Sequence, residues 1–353
     1  MTKRINEEFL NQLVELETGK AQPLFHTFPV INIFREDEEK VKEPVRRNTG
    51  DPLLADWKGV AVSFNPSFDG DAVVRAEMEG TCFVEEDPFL QDFILFPDTD
   101  GEDRKECARN GYIGLKPTLG TISRYGMMTN VPSMTQVAIG AKNAISCGKV
   151  LEAVAAVDKR DSMSRDCYIY EFVDAAKEEI KGMKIAVPSE LYGIELDEEK
   201  RKAFQKIQTS LEEHGAVMEQ VELGWMEYVL PVSDIIKACE TAMNLSGYEE
   251  HLPEELLEEV NLGKELLHGE NYEKYYLKAL KVRSLIKDTI DIMLKDYSLL
   301  LVPYVEEEDV YSMAANLAGV PAMAHPCKVV MLAGAGYETN LLKTAAFLEK
   351  EVL

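Results

Sequence analysis

The sequence predicts a layered α/β domain built on parallel strand pairs. Two strand–helix–strand units and one doubly apolar strand carry that prediction. The first unit covers residues 59–64, 71–79 and 81–84, and the second covers 183–187, 197–214 and 216–223. Strand, helix and strand joined by short links imply a parallel crossover. The run Ser298-Leu299-Leu300-Leu301-Val302-Pro303 is apolar on both faces, as a strand at the centre of a parallel sheet is. At 353 residues the chain can bury a sizeable core.

Taken in order, residues 5–20 read as an amphipathic helix, with Ile5, Phe9, Leu10, Leu13 and Val14 on one face. Residues 21–56 lack periodicity and are rich in charge and proline, so 1–56 is set apart as a helix and irregular lead-in. Residues 57–353 follow as a single α/β domain. The strand at 59–64 ends in the turn Asn65-Pro66-Ser67. The small-residue stretch 136–156 reads as a helix. In the second unit Asp197 is placed to cap the helix, Phe204, Ile207 and Leu211 recur at helical spacing, and Gly215 supplies the stop. Residues 272–297 form a long helix leading into the strand at 298–303. Strand 328–333 and helix 340–349 close the chain.

Composition narrows the function classes. Apolar residues at 46% and charged residues at 29% are those of a globular protein. A net charge of −25 argues against direct nucleic-acid binding, which needs clustered Lys and Arg. The six cysteines form no CxxC pair and read as reduced thiols of a cytoplasmic protein. The five histidines are isolated, so no metal site and no cofactor is expected. The N-terminal residues offer no signal-peptide core, and no apolar run approaches a membrane span.

The most specific stretches are GYIGLKPTLGTISRYG at 111–126 and PSMTQVAIGAKNAISCGKVLEAVAAVDKRDSMS at 132–164. They resemble the amidase signature family, and within it the A subunits of glutamyl-tRNA(Gln) amidotransferases. KGMKIAVPSELYGIELDEE, VELGWMEYVLPVSDIIKACETAMNLSGY, NYEKYYLKALKVRSLIKD, DYSLLLVP and DVYSMAANLAGVPA extend the resemblance in matching order. It runs from about residue 57 to the end with gaps, and the chain is shorter than a full family member. The resemblance implies a mixed, mostly parallel central sheet covered by helices on both faces. It also implies a Ser, cis-Ser, Lys mechanism. A lysine at the end of an early strand serves as base, a serine relays the proton, and a second serine in a DTGGS-type loop attacks the amide. Backbone amides of that loop hold the oxyanion, because a hydroxyl is a poor nucleophile without a base and pre-placed donors.

Position by position, the resemblance implies that this machinery is lost. Asn65 stands where the lysine would be, and asparagine cannot take a proton near neutral pH. The segment carrying the relay serine is missing. The loop reads Asp98-Thr99-Asp100-Gly101-Glu102, which puts Glu102 at the nucleophile position and Asp100 in place of a flexible glycine. Neither Ser63, Ser67 nor Cys107 has an evident base partner. Asp98, Asp100, Glu102 and Asp103 form an acidic run next to Arg104 and Lys105, readable as an exposed loop or as a proton-sharing or cation-binding cluster.

Some pocket positions persist. Tyr248 resembles the family's substrate-side tyrosine, and Asp309 resembles the aspartate that holds a glutamine amino group. The plainer readings are a core tyrosine and a helix cap before Val310. The arginine implied near 263–269 is replaced by Lys264 and Glu265, a weaker partner for a carboxylate. The candidate ligand-binding residues are therefore Asp98, Thr99, Arg104, Tyr248 and Asp309, with no catalytic residue assigned. Three readings follow: a non-hydrolytic binding, scaffolding or regulatory protein, an amidase using replacement carboxylates, or a sensor of an amide or amino acid. Partners implied by the resemblance are B- and C-type amidotransferase subunits, with self-association as the other choice.

Overall fold

Among the described residues nine strands form one sheet, in the order β1-β2-β4-β3-β8-β9-β7-β5-β6. They are β1 Val60–Val62, β2 Phe93–Asp98, β3 Ile113–Lys116, β4 Gln136–Ala141, β5 Lys184–Pro188, β6 Val217–Val221, β7 Leu299–Pro303, β8 Ala322–His325 and β9 Val329–Ala333. The structure, a computed structural model, describes residues 4–23, 60–62, 93–124, 130–155, 157, 161–166, 171–191, 196–247, 249–306 and 309–353. The helix expected at 71–79, the strand at 81–84 and most of the lead-in lie outside those residues.

The sheet is mixed, as the fold class requires, but its balance differs from the expectation of mostly parallel strands. β1–β2, β5–β6 and β5–β7 are parallel, whereas β2–β4, β3–β4, β3–β8, β7–β9 and β8–β9 are antiparallel. The parallel crossovers read from the sequence hold for the second unit. The central pairings are antiparallel, and of these strands only β8 and β9 are joined by a short turn.

Ten helices among the described residues flank the sheet: α1 Glu7–Glu15, α2 Glu102–Arg109, α3 Ala144–Val154, α4 Phe172–Ala175, α5 Glu198–Glu213, α6 Val229–Leu245, α7 Glu254–Leu267, α8 Leu277–Asp296, α9 Val310–Ala318 and α10 Glu338–Glu351. Asp197 caps α5 as expected, accepting from the Lys200 amide at 2.8 Å. The stretch 136–156 is not one helix. Gln136–Ala141 is the fully buried strand β4, paired with both β2 and β3. The helix begins only after Asn143, whose side chain accepts from the Ser146 amide at 2.8 Å. Small apolar residues suit either state, and here pairing on both sides decides it.

Alternation along the strands divides the apolar residues between two cores. Leu300 and Val302 of β7 face a core shared with α1, α6, α8 and α9. Leu299 and Leu301 face the opposite core, with α3, α5 and α10. Helices therefore cover both faces. Helix α9 is buried at all nine positions, which makes it the inner support of the loop after β2.

Candidate functional site

Strand β2 delivers Asp98 into the interior at its last position, where it pairs with Gln136 of β4. Its Oδ1 accepts from the Gly101 amide at 3.1 Å and from Asn316 Nδ2 at 2.9 Å. Its Oδ2 lies 3.3 Å from Arg104 Nη1. Arg104, fully buried one turn into α2, also donates to Asn316 Oδ1 at 3.1 Å and to the Ser312 carbonyl at 3.2 Å. Asp98 and Arg104 thus neutralise each other and bind the loop to α9. Gly101 makes this approach possible. Its φ is 90°, and a Cβ there would meet the Ser312 Cβ at 2.7 Å.

The loop amides are held by the loop's own carboxylates. Asp98 takes the Gly101 N–H, and Asp100 Oδ1 takes the Glu102 N–H at 3.2 Å. Asp100 Oδ2 also stands 3.4 Å from Lys237 Nζ of α6. Burial works to raise the Asp100 pKa, but Lys237, the Glu102 amide and Arg104 together hold it below the usual carboxylate value. Thr99 Oγ1 meets Thr135 Oγ1 at 2.9 Å. Glu102, at the first position of α2, is 53% exposed and turned along its own helix. It pairs with Lys105 at 2.8 Å and with Arg109, which also bonds the Tyr304 hydroxyl at 2.9 Å.

Asp309 is the N-cap of α9. It accepts from the Tyr311 amide at 2.9 Å, the Ser312 amide at 3.1 Å and the Ser312 hydroxyl at 2.7 Å. The far end of α9 meets two buried cations: Arg283 Nε donates to the Leu317 carbonyl and Lys116 Nζ to the Val320 carbonyl, each at 2.7 Å. A carboxylate at one end and cations at the other complement the helix dipole. Of the sequence candidates, Asp98, Thr99 and Arg104 come together, and Asp309 is joined to them through Ser312. Asn65 and Tyr248 lie outside the described residues.

Sequence reasoning missed two arrangements, the first spread along the chain and the second, His325-Pro326-Cys327, local. Ser133 donates its hydroxyl to Glu240, which also takes the Ser133 amide at 3.0 Å, and Arg283 Nη1 donates to the same hydroxyl at 2.5 Å. Glu240 is raised to about 7 by burial, against the pull of Arg283 and Ser133. This is a hydroxyl against a carboxylate, but both are buried and Arg283 occupies the oxygen. Separations of 107 and 150 residues hide the cluster from any motif search. The second is His325, whose Nδ1 lies 2.9 Å from Cys327 Sγ at the β8–β9 turn. Burial lowers His325 to about 4 and raises the thiol to about 12, so the pair is neutral. Cys107 is buried, and burial raises its thiol too.

No group of three metal-ligating side chains is found among the described residues, and none of their helices is long and apolar enough to cross a membrane. An open groove of about 390 Å³ lies elsewhere, between α5 and β6, lined by Gln205, Gln208, Glu212 and Met218 among others.

The amidase family model matches residues 97–331. The A subunit of the glutamyl-tRNA(Gln) amidotransferase of Agathobacter rectalis is 30% identical over 307 residues, 73% of this chain and 61% of that protein. Its counterpart from Clostridium botulinum is 31% identical over 304 residues, 75% of this chain and 60% of that protein. The chain therefore spans about three fifths of the length of these curated relatives. In fold it is similar to the crystal structure of the A subunit of the Thermotoga maritima glutamyl-tRNA(Gln) amidotransferase. The TM-score is 0.68 at 20% identity, over 97% of this chain and 94% of that one. A 6-aminohexanoate cyclic dimer hydrolase superposes with a TM-score of 0.64 at 17% identity, over 74% of this chain and 65% of that one. With the loop, its glycine and the supporting helix all inside the matched segment, the chain belongs to the amidase family.

Proposed function

We propose that this chain is a non-hydrolytic relative of the A subunits of glutamyl-tRNA(Gln) amidotransferases and works as a binding, scaffolding or regulatory protein. The observation that carries the reading is the state of the Asp98–Glu102 loop. Amide hydrolysis through an acyl intermediate needs a nucleophile and free donors aimed at the developing oxyanion. Here position 102 holds a carboxylate tied to Lys105 and Arg109, and the Gly101 and Glu102 amides already serve Asp98 and Asp100. A second negative charge arriving at that loop would be repelled. Asp309 uses both oxygens to cap α9 and hold Ser312.

The test is direct. Purified protein incubated with glutamine, asparagine and simple aryl amides should release no ammonia or amine above the buffer rate. Turnover that disappears in Glu102→Ala or Asp98→Asn would overturn the reading. A scaffolding role predicts co-purification with B- and C-type amidotransferase subunits, in keeping with relatives that are themselves one part of an amidotransferase.

A further inference from the structure

Arg124 lies between β3 and β4 and is 1% exposed. Its Nη1 donates to the Pro132 carbonyl and, at 2.7 Å, to the Thr135 carbonyl. Its Nε and Nη2 have no hydrogen-bond partner among the described residues. The nearest carboxylate oxygen, Asp161 Oδ2, stands 3.7 Å from Nε and already accepts the Arg124 amide at 2.8 Å. The other Asp161 oxygen accepts the Met163 amide at 2.9 Å. A guanidinium has five N–H donors, no acceptor, and keeps its charge in proteins. The three on Nε and Nη2 thus find no acceptor among the described residues, and a buried idle donor is costly because it has given up water without replacement. At no other side chain among the described residues are two buried polar atoms idle together.

The idle edge has a particular shape. Nε and Nη2 present parallel N–H bonds that match the two oxygens of one carboxylate. The site also adjoins the loop described above. Arg124 bonds the carbonyl of Thr135, whose hydroxyl meets Thr99. Glu240 and Asp161 both act on Arg124 electrostatically, so a dianion would be repelled more strongly than a monoanion.

We propose that Arg124 anchors a small-carboxylate site beside the Asp98–Glu102 loop, with both oxygens of a planar organic monocarboxylate seated on Nε and Nη2. This deepens the non-hydrolytic reading and rests on it, since a ligand that is turned over would not stay in the site.

The full chain is titrated in buffer free of chloride and carboxylates with acetate, propionate and L-glutamine, and with acetamide and chloride as controls. Binding is read by calorimetry and by the thermal midpoint, which rises with any ligand that prefers the native state. The carboxylates should give a saturable rise, and acetamide and chloride none. A response to glutamine alone assigns the site to amino acids; a response to acetate and propionate as well assigns it to carboxylic acids at large. Both outcomes support the site. Arg124→Gln should abolish binding. Arg124→Lys keeps the charge without the fork and should weaken binding about tenfold, or roughly 1.4 kcal/mol. Asp161→Asn removes the neighbouring negative charge and should tighten binding several-fold. The proposal fails if no carboxylate gives a saturable rise, if acetamide or chloride matches acetate, or if Arg124→Lys retains full affinity. Ammonia release is followed in the same samples. Turnover of glutamine would sink the non-hydrolytic reading while leaving acetate binding to be judged separately.

Discussion

Arg104 and Arg124 are the same residue type, equally buried and close to the same loop, yet they are used differently. Arg104 faces Asp98, Asn316 and the Ser312 carbonyl, and among the described residues only its Nε is idle. Arg124 engages one nitrogen and leaves an edge open. Burial alone therefore does not mark a cation as structural. What separates the two is how many donors the surrounding chain satisfies, and in the first case a carboxylate and a helix engage both terminal nitrogens.

Three measurements would break or sharpen this contrast. The largest effect is expected from Arg104→Met, which leaves Asp98 charged and buried without its partner. Stability should fall by about 3–5 kcal/mol in denaturant titration, with a smaller fall for Arg124→Met in the absence of ligand. Equal losses would erase the distinction.

The second effect is a pH dependence with opposite slopes from Glu240 and Lys116. Glu240, near Arg124, has its pKa raised from 4.5 to about 7, so the native state holds its proton more tightly than the unfolded chain. Stability should then fall as pH rises from about 4.5 to about 7. Lys116, near Arg104, is lowered from 10.5 to about 7 by burial and by Arg104, so the unfolded chain holds its proton more tightly. Stability should recover as pH rises from about 7 to about 10.5. Glu240→Gln should make the acid limb shallower, leaving the part that Asp103, also raised to about 7 by burial, contributes, and Lys116→Met should flatten the alkaline limb. A mutant curve parallel to that of the parent would reject the assignment of that limb.

The smallest effect is expected at Glu102. Glu102 is 53% exposed and pairs with the partly exposed Arg109 and the buried Lys105, so Glu102→Ala should change stability by about 1 kcal/mol. A loss of several kcal/mol would make this carboxylate part of the loop's support rather than a surface charge.

Much of the frame was legible because its signals are local. Asp197, the spacing of Phe204, Ile207 and Leu211, and Gly215 define one strand–helix–strand unit without outside help. Asp309 as a cap was readable for the same reason. β4 was not, because Val137-Ala138-Ile139-Gly140-Ala141 suits either state until β2 and β3 claim its backbone. In the site, the loop sequence gave away Asp98, Glu102 and Arg104. The contacts of Asn316 with Asp98 and of Arg283 with Ser133 bridge residues far apart in the chain, and nothing in either neighbourhood foretells them.

The division of β7 between two cores has a consequence for how the fold finds its alignment. A strand with one wet face is kept in step because sliding by one residue would drown its apolar side chains. Leu299, Leu300, Leu301 and Val302 are all dry, so the same slide would merely exchange one oily wall for another. Correct pairing must then be enforced at the strand's ends. There the Ser298 amide donates to the Lys184 carbonyl at 2.7 Å, Asn340 Nδ2 donates to the Ser298 carbonyl at 3.0 Å, and the Tyr304 amide donates to the Lys328 carbonyl at 3.0 Å. Asn340, a modest polar residue on α10, thereby acts as a bolt for this interior strand.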